Sequence, residues 1–203
     1  AYERFTPHGP IAFLPIGENR SVLVFTTLAD EANHYLGMSE EQYLETIETE
    51  FGRRLGKIQE IGKRRSYPIF FVEAIQQFQE NLVLLGNSAH TIHPNAAQGF
   101  NLGLRDAAGL AECIYSALEK KLSVDNINIL NAYLGLRNSD QQRVTEFTNG
   151  IATSFYNNSS LFTPITNTIM LLFDCVPEFK YLFLKRAMGL AGYQPRLVRG
   201  LNL

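Results

Sequence analysis

The stretch Gly86-Asn87-Ser88-Ala89-His90-Thr91-Ile92-His93-Pro94-Asn95-Ala96-Ala97-Gln98-Gly99-Phe100-Asn101-Leu102-Gly103-Leu104-Arg105-Asp106-Ala107 decides the reading of this chain. It follows the apolar run Leu82-Val83-Leu84-Leu85 and precedes a helical pattern. A short continuous apolar run of this kind predicts a strand of the parallel type, covered on both faces. Ligands of open α/β sheets sit beyond the carboxyl ends of such strands, where the next helix offers free N–H groups and positive potential to an anion. The loop between them is therefore the place to expect a cofactor.

Three chemistries compete for this loop. Gly86-Asn87-Ser88-Ala89-His90 begins like a Gly-x-Ser-x-Gly nucleophile elbow, but His90 occupies the second glycine position, where a side chain crowds the sharp turn. His90 and His93 could flank a metal ion, yet no third ligand lies close in sequence and no metal site is assigned. The third reading is a nucleotide or flavin clasp. The clasp would run from Gly86 to Asp106: Asn87 supplies a polar contact, Pro94 stiffens the loop, and Gly99 lets backbone approach a ring system. Backbone N–H groups at Phe100, Asn101 and Leu102 would favour the pyrimidine edge of an isoalloxazine, which becomes anionic on reduction.

Outward from the loop, the pattern predicts a helix from about Phe100 to Leu118 with a stripe of Leu104, Ala108, Ala111, Ile114, Tyr115 and Leu118. A second helix, capped by Asp125, presents Ile127, Leu130, Leu134, Val144, Ile151 and Phe155 and runs to about Tyr156. Pro164 and Pro177 divide the remainder into short helices, and residues 189–200 read as an irregular end. Upstream, residues 9–27 form a β-hairpin around Gly17-Glu18-Asn19. Ser39-Glu40-Glu41-Gln42 is a capping box opening a helix whose face carries Leu44, Ile47 and Phe51, and which Gly52 ends. Lys57 to Val72 reads as extended chain, with Lys63-Arg64-Arg65 as a solvated edge. The expected division is 1–75 for an antiparallel sheet with one helix, 76–157 for a second domain and 158–203 for a helical end.

Composition excludes several classes. The chain has 203 residues, 45% of them apolar and 19% charged, which suits a folded core rather than a disordered tail. Its 18 Lys plus Arg against 20 Asp plus Glu leave a net charge of -2 and no basic excess to draw nucleic acid. Cys113 and Cys175 have no CxxC neighbour, which suggests neither a disulfide framework nor a zinc site and fits a cytoplasmic setting. Phe147 to Phe173 lacks charge, but Asn, Ser and Pro interrupt it, so two helices are expected rather than a membrane span.

The long loop-to-helix stretch resembles the second FAD motif of the flavin-dependent aromatic hydroxylases of the para-hydroxybenzoate hydroxylase type. The residues that carry this are Gly86-Asn87-Ser88-Ala89-His90, Pro94 and Gln98 through Asp106, supported by Tyr2-Glu3-Arg4-Phe5-Thr6, His8-Gly9-Pro10 and the Arg64-to-Pro68 stretch. Within that family the chain looks most like the ubiquinone-biosynthesis hydroxylases. The resemblance implies a mixed fold, α+β with an α/β part: an antiparallel substrate-domain sheet, an FAD-domain strand and C-terminal helices. It also implies FAD contacts at Gly86, Asn87, Pro94, Gly99, Phe100, Asn101 and Leu102. Position 87 would meet the ribityl hydroxyls, Pro94 would lie near the flavin, and the 100–102 turn would address the pyrimidine edge. The implied reaction is hydroxylation of a polyprenylated phenol, with NAD(P)H and dioxygen as co-substrates and a flavin C4a-hydroperoxide as oxygen donor. No catalytic acid or base is assigned; His90 and His93 are candidates only.

Two departures stand out. Asn87 occupies a place where the family usually has Asp, keeping an acceptor oxygen but losing the charge. No Gly-x-Gly occurs in the chain, hence no Gly-x-Gly-x-x-Gly for the ADP half of FAD, and no Asp-Gly pair for the family's middle motif. The chain thus reads as the C-terminal half of such an enzyme. Alone it is expected to bind FAD poorly or not at all, to be inactive and to self-associate through uncovered edges. The expected partners are a lipophilic phenol and a ubiquinone-biosynthesis protein complex, with peripheral contact at the inner membrane. The rival reading is a non-catalytic half-protein that binds a partner or lipid through its C-terminal helices.

Overall fold

A computed structural model of the protein describes residues 1–94, 97–156, 168, 171–172 and 175–203. The chain divides into two compact units, the first covering Ala1–Pro68 and the second beginning at Ile69.

The first unit is a three-stranded antiparallel sheet of β1 (Tyr2–Thr6), β2 (Gly9–Gly17) and β3 (Arg20–Phe25), in that order. The β2–β3 hairpin closes through Glu18 and Asn19, both at positive φ (51° and 56°), the twist that suits a two-residue connection between right-twisted strands. Helices α1 (Ala32–Gly37) and α2 (Glu40–Phe51) follow. The expected capping box is present: Ser39 Oγ accepts from Gln42 N at 3.2 Å, and Ser39 N donates to Gln42 Oε1 at 3.0 Å. Tyr43, Ile47 and Phe51 of α2 are buried with Ile11 of β2, and Phe13 meets Phe51 edge-on at 4.6 Å. Tyr43 thus takes the inward place expected for Leu44, which is only half-buried.

Residues 57–71 form no ladder among the described residues, so the expected extended pairing there is replaced by irregular chain. Arg64 is not part of a solvated edge. Its guanidinium donates to Tyr35 O at 2.9 Å and to Met38 O, and lies 4.9 Å from the Tyr43 ring centroid. It caps carbonyls at the end of α1 that would otherwise lack partners.

The second unit holds short antiparallel pairs and long helices. β4 (Val72–Glu73) pairs with β7 (His90–Thr91), and β5 (Phe78–Gln79) with β6 (Leu82–Val83). The parallel-type strand expected over Leu82–Gly86 is therefore a two-residue antiparallel rung, and Leu82 is exposed. The architecture is α+β. Helix α3 spans Gln98–Glu119, α4 spans Ile127–Tyr156 and α5 spans Pro177–Ala187. Asn126, not Asp125, caps α4, its Oδ1 accepting from Asn128 N at 3.0 Å. Pro177 opens α5, where a missing N–H costs nothing. The expected short helices around Pro164 lie outside the described residues.

Of the predicted stripes on α3 and α4, Ala108 and Val144 are buried as expected, some other members turn outward, and the side chains of Ile151 and Phe155 lie outside the described ones. On α3 the buried positions are Gln98, Leu102, Arg105, Asp106, Ala108, Gly109 and Ala117, while Leu104 and Leu118 are exposed. On α4 they are Ile129, Tyr133, Arg137, Asp140, Gln141, Val144 and Thr148. Hydrophobicity alone placed the faces only in part, because the inward side of both helices carries paired charges.

Candidate functional site

The site is built where β7, the turn before it and the start of α3 meet. Gly86–Ser88 form a 3-10 turn, with Gly86 at φ 56° and Ala89 N donating to Gly86 O at 2.9 Å. Ser88 Oγ donates to Leu85 O at 2.7 Å and accepts from Leu85 N at 3.2 Å. That hydroxyl closes the turn, which accounts for the serine without a nucleophile's role. The Asn87 side chain is exposed at the tip, and the backbone carbonyl of Asn87 accepts from Thr91 Oγ1 at 3.2 Å.

Helix α3 starts at Gln98, two residues before its expected start. Ala97 precedes it in a left-handed conformation (φ 49°, ψ 37°), and its N–H donates to Pro94 O at 2.9 Å. Pro94 thus fixes the approach to the helix through its carbonyl. In an α-helix the first N–H groups have no acceptor within the helix itself, and in α3 these are the N–H groups of Gln98, Gly99 and Phe100. Asn101 and Leu102 follow within the first turns of α3. Leu102 is fully buried with Ile92 and Val144, whereas Phe100 and Asn101 are exposed.

Turn and helix touch through glycine. A Cβ placed on Gly103 would lie 3.2 Å from Gly86 Cα, so the close approach calls for the small residue at 103, while at Gly86 it is the left-handed φ of 56° that favours glycine. The result is a cradle with an exposed amide at Asn87, a bare backbone at Gly86 and the first-turn N–H groups of α3 beside them. This donor set fits a polyol chain leading to a ring edge rich in acceptors, as in the ribityl and pyrimidine parts of FAD.

Beneath the cradle lies a buried ionic network that the sequence reading did not foresee. His90 Nε2 and Asp106 Oδ2 are 2.6 Å apart, joining β7 to α3. Asp106 Oδ1 accepts from Arg137 Nε at 2.9 Å and from Gln141 Nε2 at 3.1 Å. Asp140 Oδ2 accepts from Arg137 Nη2 at 2.6 Å and Arg105 Nε at 2.9 Å. Gln77 Nε2 donates to Gln141 Oε1 at 2.9 Å, tying in the β5 segment. Burial pushes the Asp106 carboxyl up, but hydrogen bonds from His90, Arg137 and Gln141, with the Arg137 charge, hold it below its ordinary value. With His90 Nε2 committed to Asp106, the ring serves as a strut between strand and helix.

The C-terminal segment straps the same helix. Gln98 Nε2 donates to Ala187 O at the end of α5. Tyr193 Oη donates to Glu112 Oε1 at 2.6 Å, and Arg196 N donates to Glu112 Oε2 at 2.9 Å. Gly189, at φ 69°, packs against the Arg105 guanidinium, and a Cβ there would also lie 3.0 Å from Gln98 Oε1. Gly189→Ala is therefore expected to cost roughly 1–3 kcal/mol through left-handed strain and displacement of Arg105. Urea unfolding of the two proteins side by side checks this, and an unchanged midpoint would refute the strap.

Comparison with known proteins gives the family. Residues 1–148 match the family described as FAD binding domain. The chain is 35% identical over 209 residues to the ubiquinone hydroxylase UbiL of Rhodospirillum rubrum, covering 100% of this chain and 48% of that protein. It is 30% identical over 189 residues to the 3-demethoxyubiquinol 3-hydroxylase of Escherichia coli, covering 93% of this chain and 48% of that protein. The chain thus spans about half the length of these curated relatives. The crystal structure of pqsL, a probable FAD-dependent monooxygenase from Pseudomonas aeruginosa, superposes with a TM-score of 0.64 at 23% identity, over 76% of this chain and 44% of that one.

Proposed function

The chain belongs to the FAD-binding domain family, and from that premise we propose that it is the C-terminal portion of an FAD-dependent hydroxylase acting on a polyprenylated phenol in ubiquinone biosynthesis. The observation that carries this is the glycine-to-glycine approach of the Gly86 turn and helix α3, which leaves a cradle for the flavin side of FAD. The names of the curated relatives support the substrate class and pathway.

In this reading Gly86 presents backbone to the cofactor, and Asn87 binds the ribityl hydroxyls through its amide. Pro94 holds the loop near the flavin. Gly99, Phe100, Asn101 and Leu102 form the helix start facing the pyrimidine edge, with the N–H groups of Gln98, Gly99 and Phe100 as the donors. Bound FAD, reduced by NAD(P)H, supplies the oxygen-transfer chemistry. This chain supplies orientation, donors for the negative charge on the reduced ring, and a wall that excludes water. No Gly-x-Gly is present for the ADP half, so the residues here address one side of the cofactor.

The lipophilic phenol, a ubiquinone-biosynthesis complex and peripheral contact with a membrane belong to the same proposal. Among the described residues no helix is long and apolar enough to cross a membrane. The test is an assay of the protein joined to a Gly-x-Gly-x-x-Gly half from a relative. Phenol-dependent NAD(P)H oxidation with a product that gains one oxygen atom is expected. Flavin incorporation with no turnover on any prenylated phenol would overturn the activity.

A further inference from the structure

Helix α5 is unusual in what it shows to solvent. Its inward side is marked by Phe183, which meets Phe147 of α4 at 5.7 Å between ring centroids, and by the half-buried Ala187. The opposite side and its flanks carry Phe179, Tyr181 and Leu182, exposed by 49%, 64% and 49%, alternating with exposed Lys185 and Arg186. A helix that packs by one stripe ordinarily turns polar residues outward.

Charge singles out the same segment. Residues 177–203 hold five cations and one anion, net +4, on a chain whose total is -2, so residues 1–176 carry -6. Lys185, Arg186, Arg196 and Arg199 are exposed and make no ion pair among the described residues. Glu178, the one acid, sits in the first turn of α5, where the helix dipole favours it. At 11 residues the helix is about 16 Å long, too short to span a bilayer and suited to lying in its surface.

We propose that α5 and the basic chain after it dock this protein on an anionic phospholipid bilayer, with Phe179, Tyr181 and Leu182 entering the headgroup boundary and the cations pairing with lipid phosphates. The inference deepens the peripheral-membrane part of the function proposed above and rests on it for its purpose, since a phenol with a polyprenyl tail resides in the bilayer. Vesicle binding is measured without flavin or substrate, so its failure leaves the hydroxylase reading standing, and the reverse.

The experiment is cosedimentation of the chain with vesicles of phosphatidylcholine alone or of phosphatidylcholine mixed with phosphatidylglycerol. Partitioning at least about tenfold stronger into the anionic vesicles is expected, weakening as salt rises. Lys185→Glu with Arg186→Glu should remove that preference. Phe179→Ser with Leu182→Ser should lower binding to both vesicle types, each double variant keeping its far-UV circular dichroism and melting temperature. Equal binding to the two vesicle types, or binding that survives both double variants, would overturn the proposal. So would a concentration-dependent dimer, lost on Phe179→Ser with Leu182→Ser, in a protein that ignores vesicles. That outcome assigns the face to a second copy of the chain.

Discussion

Asp106→Ala should destabilise the second unit by roughly 3–5 kcal/mol, the cost of removing one partner from a buried ion pair and stranding the others. Asp106 is fully buried and accepts from Arg137 and Gln141 while pairing with His90. Without it, the Arg137 guanidinium keeps only Asp140, and His90 loses its contact to α3. Asp106→Asn, which keeps a carbonyl oxygen but adds an N–H toward His90 or Arg137, should recover only part of the loss. The pH dependence has a definite sign. A carboxyl held below its ordinary value binds fewer protons in the folded than in the unfolded state. Its stabilising contribution is complete above the unfolded value of 3.8 and disappears as pH falls through the lower folded value. Urea midpoints at neutral pH and below pH 4 should therefore converge between wild type and Asp106→Ala as acid is added. A gap that stays constant would show that lost packing, not the charge, sets the cost.

Gly103→Ala should separate stability from cofactor binding. Alanine raises helix propensity by about 1 kcal/mol, while its Cβ meets Gly86 Cα at 3.2 Å and forces the turn to give by a few tenths of an ångström. The two effects nearly cancel in the folding free energy. They do not cancel in the cradle, where the displaced Gly86 turn misplaces the Asn87 amide, so flavin affinity should fall about tenfold, or about 1.4 kcal/mol. Gly103→Val, with branches that the turn cannot absorb, should lose both flavin binding and a further ~1–3 kcal/mol of stability. Calorimetric titration with flavin mononucleotide, beside a thermal melt, checks the split. Unchanged affinity in Gly103→Ala would mean the close approach serves packing alone.

What could be read from the sequence was what depends on neighbours along the chain. The Glu18-Asn19 turn, the Ser39–Gln42 capping box, the Gly52 stop and the loop-to-helix stretch at 86–106 each carry their cause within a few residues. The Lys57–Val72 stretch did not yield to the same logic, because a β-ladder exists only where a second strand lies beside it. Leu82 to Leu85 looked like a buried parallel strand for a related reason: a short apolar run shows neither its partner nor its direction.

The larger omission was the network of His90, Arg105, Asp106, Arg137, Asp140 and Gln141. Its members are spread from residue 90 to residue 141, and each alone looks like a surface group. A signal did exist: Arg137, Asp140, Gln141 and Val144 lie at helical spacing in line with Ile129 and Tyr133. Charges that interrupt an apolar stripe, facing another helix with Arg105 and Asp106 adjacent, are the pattern of a buried pair network. Ala108 and Val144 are buried as hydrophobicity predicts, and the charged residues between the apolar positions fill the rest of the inward faces.

The Gly86 turn and the start of α3 are proposed to bind the flavin side of FAD. Amide shifts of the 15N-labelled chain on titration with flavin mononucleotide, and separately with adenosine diphosphate, test it most directly. Flavin mononucleotide should move the amides of Gly86 to Ala89 and Gln98 to Phe100, and adenosine diphosphate should leave them in place. That binding is contradicted if adenosine diphosphate reproduces the shifts, or if saturating flavin mononucleotide moves none of these amides.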